Sequence, residues 1–147
     1  MAVESKSKTN VVIFEKKKRT PLAKRKVTAT EAQIQASFFM WLAMTLPFVR
    51  QLTWASANGG IRNIVSAVNL KRQGVLKGVL DVHCAIPSSG KCGLFIEFKA
   101  GKGKTTPEQD QMIHLLRKNN HRVEVCWDWE VAKDILIDYL KGSEYEL

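Results

Sequence analysis

Apolar positions recur with helical spacing in several stretches of the chain, and the signals at their ends say where each stretch begins and stops. Ile34, Phe38, Trp41, Leu42 and Leu46 form one such series. Thr30-Glu31-Ala32-Gln33 ahead of it reads as a capping box, so a helix is predicted from about Glu31 to Leu46, with Pro47 ending it. Phe48–Trp54 alternates and is predicted as a strand. Ala57-Asn58-Gly59-Gly60 reads as a loop, and a second helix runs from Ile61 or Asn63 to about Gln73, closed by Gly74. Val79–Ile86 and Gly93–Lys99 read as two strands around a Pro87-Ser88-Ser89-Gly90 turn, hence a hairpin. After the Gly/Lys loop Ala100–Thr105, Thr106-Pro107-Glu108-Gln109 is a second capping box with proline at its favoured place. That helix runs to about Lys118, and Asn119-Asn120 can supply a left-handed cap. Val123–Trp127 is the next strand, and Asp128 caps a last helix to about Leu140, followed by Gly142. The order α-β-α-β-β-α-β-α predicts an α/β fold, a mixed sheet flanked by helices.

Composition narrows the class without changing this picture. The chain has 147 residues, 45% hydrophobic and 25% charged, which fits one soluble domain and excludes a wholly disordered chain. The longest apolar stretch, Trp41–Val49, is broken by Thr45 and Pro47 and falls short of the ~20 residues that cross a bilayer. The three cysteines, Cys84, Cys92 and Cys126, form no CxxC pair, which argues against a disulfide framework or a zinc site. They fit a reducing compartment, and no apolar leader opens the chain, so a cytoplasmic protein is expected.

Charge adds a second unit. Residues 1–29 hold nine basic side chains and two acidic ones, so seven of the chain's nine net positive charges sit there. We read 1–29 as a flexible basic arm, whose one apolar run is Val11–Phe14, and 30–147 as the folded domain. A polyanion is the expected partner, either nucleic acid or an acidic membrane surface.

The candidate chemistry lies in Gly78–Lys99. Asp81 sits inside an apolar strand. Glu97 and Lys99, two residues apart, share one strand face with Phe95, opposite Leu94, Ile96 and Phe98. A hairpin can bring Asp81 alongside Glu97. Two adjacent carboxylates repel unless something neutralises them. Mg²⁺, held by oxygen ligands, does so and is what phosphodiester hydrolysis needs, with Mn²⁺ an expected substitute. A neighbouring lysine can orient the attacking water or stabilise phosphoryl charge. His83 shares Asp81's face and reads first as a hydrogen-bonded structural histidine. His114 and His121 read as surface or helix-end residues. Trp41, Trp54, Trp127 and Trp129 read as core or interface rather than as stacking platforms. Lys71, Arg72, Lys77, Lys102 and Lys104 flank the site and are candidate phosphate contacts.

Asp81 followed after a hairpin by Glu97-Phe98-Lys99 resembles the PD-(D/E)xK nuclease superfamily, with its restriction-endonuclease-like core. More narrowly, the chain resembles the VRR-NUC (virus-type replication-repair nuclease) family over about Thr30–Leu140. The matching parts come in order. They are Glu31 at the head of the first helix, Asn58-Gly59-Gly60 with Arg62, Leu70-Lys71, Gly74, Gly78 and Asp81. Ile96-Glu97-Phe98-Lys99, Pro107-Glu108-Gln109, Leu116 and Val123–Val125 follow. Leu80 stands where the family usually has proline, and the Asn120 region where it has glycine. Neither position carries a reacting group.

The resemblance implies roles. Asp81 and Glu97 would ligate the metal, helped by the Phe98 carbonyl. Lys99 would act on the water. Glu31 would serve a second metal or act through a water. Gln109, or else Gln111, would hold the lysine or the scissile phosphate, and Arg62 would join the lysines in contacting DNA. The likeness to the family's small viral members implies a virus-encoded homodimer that cuts branched DNA such as four-way junctions in the host cytoplasm. The rival readings are a non-catalytic DNA-binding module and a nuclease acting on ends or flaps.

Overall fold

The structure, a computed structural model, describes residues 28–56 and 64–146. Nine elements follow in order: α1 (Glu31–Thr45), α2 (Pro47–Gln51), β1 (Thr53–Ala55), α3 (Ile64–Arg72), β2 (Val82–Cys84), β3 (Leu94–Phe98), α4 (Pro107–Lys118), β4 (Arg122–Cys126) and α5 (Trp129–Leu140). The basic arm up to residue 27 and the Asn58-Gly59-Gly60 loop lie outside the described residues, as does Arg62.

Both capping boxes form. The Thr30 hydroxyl accepts from the Gln33 N–H at 3.2 Å, and the Gln33 amide oxygen accepts from the Thr30 N–H at 2.9 Å. Thr106 and Gln109 repeat the arrangement at the head of α4. These reciprocal bonds satisfy donors that a helix start otherwise leaves unpaired.

The strands form one sheet in the order β1-β2-β3-β4. β1–β2 and β2–β3 pair antiparallel, and β3–β4 pair in parallel, joined through α4. The hairpin tip is a two-residue turn. Ser89 and Gly90 both have positive φ, 50° and 72°, while Ser88 and Lys91 exchange backbone bonds. Two left-handed residues in succession match the twist of the flanking strands.

Leu94, Ile96 and Phe98 face one side of the sheet, where Ile34, Phe38 and Leu42 of α1 and Leu136, Tyr139 and Leu140 of α5 close the main core. The rings of Phe38 and Phe98 meet at 5.8 Å. On the other side α4 covers a smaller cluster of Leu80, Ile113 and Val123, with Phe95 packed against it. The sheet is therefore covered on both faces here, in keeping with the near-continuous burial along β3.

Three expectations need correction. Phe48–Trp54 is not one strand: Pro47 ends α1 but opens the short helix α2, and only Thr53–Ala55 joins the sheet. Pro47 suits a first helical position because its missing N–H would have no partner there. The hairpin strands are shorter than the apolar runs that suggested them. Of the four tryptophans read as core or interface, Trp54 and Trp127 are half exposed and so outside the core, while Trp41 and Trp129 pack on it.

One close approach fixes the relation of the hairpin to α4. Gly78 has φ +74°, and a Cβ there would lie 2.5 Å from the Glu108 backbone carbonyl. Only glycine fits both the backbone angle and the space.

Candidate active site

The β2–β3 register pairs Val82 with Ile96, so one step further Asp81 stands opposite Glu97. The ladder of β2 stops at Val82, and the Asp81 side chain takes over: its Oδ2 accepts the Phe98 N–H at 2.9 Å. In extended backbone a residue's N–H and C=O point the same way. The Phe98 carbonyl is therefore aimed toward Asp81's side of the strand.

Glu97 is 1% exposed and Lys99 6%. The Lys99 ammonium donates to Glu97 Oε1 at 2.6 Å. The Gln109 amide donates to the same oxygen. Glu97 Oε2 is buried with no hydrogen-bond partner. Gln109 works with both ends of its amide, since its oxygen also accepts the Thr106 N–H at 2.9 Å. Gln109 thus caps α4 and bonds Glu97, rather than Lys99, with the same amide. Gln111 is exposed on α4.

These groups line a cleft of about 540 Å³ together with Glu31 and Ser56. Burial pushes the Asp81 carboxyl above its usual range, and the Glu31 charge adds to this, against the Phe98 N–H and Lys99. Burial also raises Glu97, with the Asp81 charge adding to it and Lys99 opposing. Each carboxylate is thus destabilised as an anion by its surroundings and by a like neighbour.

The donor set suits a hard cation. It has two carboxylates, one with a buried oxygen lacking a partner, and a carbonyl aimed at the same place. Among the described residues no three His, Cys, Asp or Glu side chains form a ready-made metal cage. Mg²⁺ is commonly held by one or two carboxylates plus waters and phosphate oxygens, so no such cage is required. Glu31 lines the cleft but stays exposed at the head of α1.

His83 is tied down. Its Nε2 lies 2.9 Å from Ser56 Oγ and 3.1 Å from the Leu80 carbonyl, to which Ser56 also donates. With the serine proton spent on Leu80, Nε2 carries the histidine proton. Burial lowers its pKa. This is the hydrogen-bonded structural histidine expected from its position.

Lys71, Arg72, Lys77, Lys102 and Lys104 are all exposed, and among the described residues none makes a salt bridge. None of the five lines the cleft itself. The loop bearing Lys102 and Lys104 is held by a bond from the Trp127 indole N–H to the Gly103 carbonyl at 3.0 Å. Four cleft residues, Gln35, Ala36, Phe39 and Ser56, escaped sequence reasoning. Gln35 and Phe39 follow Glu31 at successive i+4 steps and form one stripe along α1. The Arg50 guanidinium lies 4.8 Å from the centre of the Phe39 ring. The i+4 spacing from Glu31 was the available signal.

Residues 18–127 match the VRR-NUC domain. The chain belongs to the VRR-NUC family. This is a nuclease-type family, and the matched span contains Asp81, Glu97, Lys99 and Gln109. The solved structure of a "VRR_NUC domain protein" is similar, with a TM-score of 0.67 at 24% identity, covering 77% of this chain and 89% of that one. At that identity the likeness is one of fold, and it agrees with the mixed sheet between helices. No curated protein matches in sequence. VRR-NUC membership suggests DNA binding, and among the described residues no helix is long and apolar enough to cross a membrane.

Proposed function

We propose that this VRR-NUC chain is a Mg²⁺-dependent DNA endonuclease, acting on branched DNA such as four-way junctions and working as a homodimer. The observation that carries the chemistry is Glu97. One of its oxygens is engaged by Lys99 and Gln109, and the other is buried without a partner beside Asp81. Asp81 and Glu97 would hold the ion, the Phe98 carbonyl would assist, and Glu31 would serve through a water or a second ion. The bound ion would polarise the phosphoryl group and offset charge on the leaving oxygen. Lys99 is fixed by Glu97 and keeps further N–H donors for the attacking water or the phosphoryl oxygens. Gln109 holds Glu97 in place from the head of α4. The exposed Lys71, Lys77, Lys102 and Lys104, with Arg62, contact phosphates and position the duplex without reading sequence. The branched substrate and the homodimer rest on the resemblance to small viral members, and two sites about a twofold axis suit paired cuts.

Incubation with duplex, flap, splayed-arm and four-way DNA, in Mg²⁺, Mn²⁺ or EDTA, tests the proposal. Metal-dependent internal cuts in the four-way substrate are expected. Absence of any metal-dependent product would leave a DNA-binding module instead, and cuts confined to ends or flaps would move the substrate.

The raised carboxyl pKa values set a pH dependence. The two groups ordinarily titrate near 3.8 and 4.5. Between those values and their higher folded-state values the native chain binds more protons than the unfolded one. Stability from this pair is therefore largest at low pH and declines as pH rises through that window. Mg²⁺ should raise Tm above the window and have little effect below it, where both groups are protonated. Thermal melts across pH, with and without Mg²⁺, check this against Asp81→Asn. An equal Mg²⁺ effect in both proteins would contradict the assignment of Asp81.

The basic arm gives a further expectation. Residues 1–27 carry seven net positive charges. Their removal should flatten the dependence of log affinity on log salt concentration, by as much as about six if every charge pairs with a phosphate. Unchanged affinity of the shortened protein across a salt titration would rule the arm out of DNA binding.

A further inference from the structure

We propose that Trp54 is a stacking platform for an unpaired nucleobase next to the scissile phosphate. The inference rests on the nuclease reading and adds the substrate feature that this site selects. Trp54 lies on β1, the edge strand among the described residues, and pairs with His83, which pairs with Phe95 on β3. All three side chains stand on the sheet face that carries Asp81 and Glu97, because each lies two residues away along its strand from a member of the site row. That row is Ser56, Asp81 and Glu97, and Ser56 bonds the Asp81 carbonyl through its N–H at 2.8 Å. The indole is thus one strand step, about 7 Å along the sheet, from the catalytic row.

The indole packs beside a row of rings. Its ring centre is 5.9 Å from that of His83, His83 is 4.8 Å from Phe95, and Phe95 meets His121 edge-on at 5.1 Å. His83 is itself locked by Ser56 and Leu80. Among the described residues no strand lies beyond β1, and Trp54 is 49% exposed. A large ring held on one side and open on the other, beside a phosphate-handling cleft, is what a base needs in order to stack. A base inside an intact duplex offers no free face, so only an unpaired one can use it. The neighbours on this face are polar (Ser56, His83, Asp81), which suits a nucleotide better than an apolar contact with a second copy of the chain. Trp127, equally exposed, differs because its N–H is spent on the Gly103 loop.

The test uses the full chain carrying Asp81→Asn, in Mg²⁺, so that DNA is bound but not cut. The probes are fully paired duplexes and matched DNAs with one unpaired 2-aminopurine. Stacking on Trp54 predicts that the unpaired probe is quenched on binding. Trp54→Ala and Trp54→Leu should abolish the quench and weaken binding of the unpaired probe about fivefold to a hundredfold. Affinity for the paired duplex should change less than twofold, and Trp54→Phe should keep most of both signals. Equal losses on paired and unpaired DNA, or no loss, would overturn the proposal. So would a change of oligomeric state in Trp54→Leu that tracks the loss. Unaltered thermal melts of Trp54→Leu and Trp54→Phe separate stacking from misfolding. Cleavage by the wild type is scored separately. A selective quench with no cleavage would sink the nuclease reading and leave stacking intact, whereas cleavage with no quench would sink stacking alone.

Discussion

Asp81→Asn is expected to slow DNA cleavage at least a thousandfold, roughly 4 kcal/mol of transition-state stabilisation, while the protein melts at the same temperature or higher in EDTA. The two halves of this expectation share one cause. Asp81 is held as an anion against burial and against the charges of Glu97 and Glu31. Asparagine removes that repulsion and keeps an oxygen for the Phe98 N–H, which now binds Asp81 at 2.9 Å. It also removes the charge that would hold a cation. Single-turnover cleavage of a junction, paired with thermal melts, measures both effects. A variant that cuts as fast as wild type would end the assignment of this residue. A variant that loses activity only because it has unfolded would show a lowered Tm.

Glu97→Ala is expected to destabilise the fold by about 3–5 kcal/mol, because it leaves the Lys99 ammonium buried without its counter-ion. Lys99 is 6% exposed and its one side-chain partner among the described residues is Glu97 at 2.6 Å. The reverse change, Lys99→Met, should destabilise less. The carboxyl it leaves behind can take up a proton, as its raised pKa already favours, and the Gln109 amide remains on it. Glu97→Leu with Lys99→Met together should recover most of the loss, since a well-packed apolar pair can replace a buried ion pair. Urea unfolding of the two single variants and the pair measures this cycle. All three should be inactive. A Glu97→Ala variant as stable as wild type would mean that the ion pair is not held in a dry environment.

Much of this was legible in the sequence, and the failures have physical reasons. The two capping boxes place the starts of α1 and α4 through purely local bonds, so four residues of sequence suffice. Asp81, Glu97 and Lys99 could be grouped because strand alternation is strict. Their register depended on the Ser89-Gly90 turn, whose positive φ angles the sequence suggested only through glycine. Pro47 misled in the stretch after α1. A proline that ends one helix can open the next, and Phe48-Val49-Arg50 fits both periods when only Val49 is buried. Trp54 reads as core or interface because it falls within a predicted strand; nothing in the sequence tells that β1 is three residues long and, among the described residues, an edge. Gln109 looked like a choice between cap and site. An amide has a donor end and an acceptor end, and the fold uses both.

The contact between Gly78 and the Glu108 backbone has a consequence for how the site is held together. The hairpin that supplies two carboxylates and the helix that supplies an amide are separate pieces of chain, and their spacing is set where an α-carbon just ahead of the hairpin, bearing only hydrogens, rests on a carbonyl. A methyl group at that carbon would wedge the two apart and draw Gln109 away from Glu97. The bond between Gln109 and Glu97 is thereby tied to a residue that lines no part of the cleft.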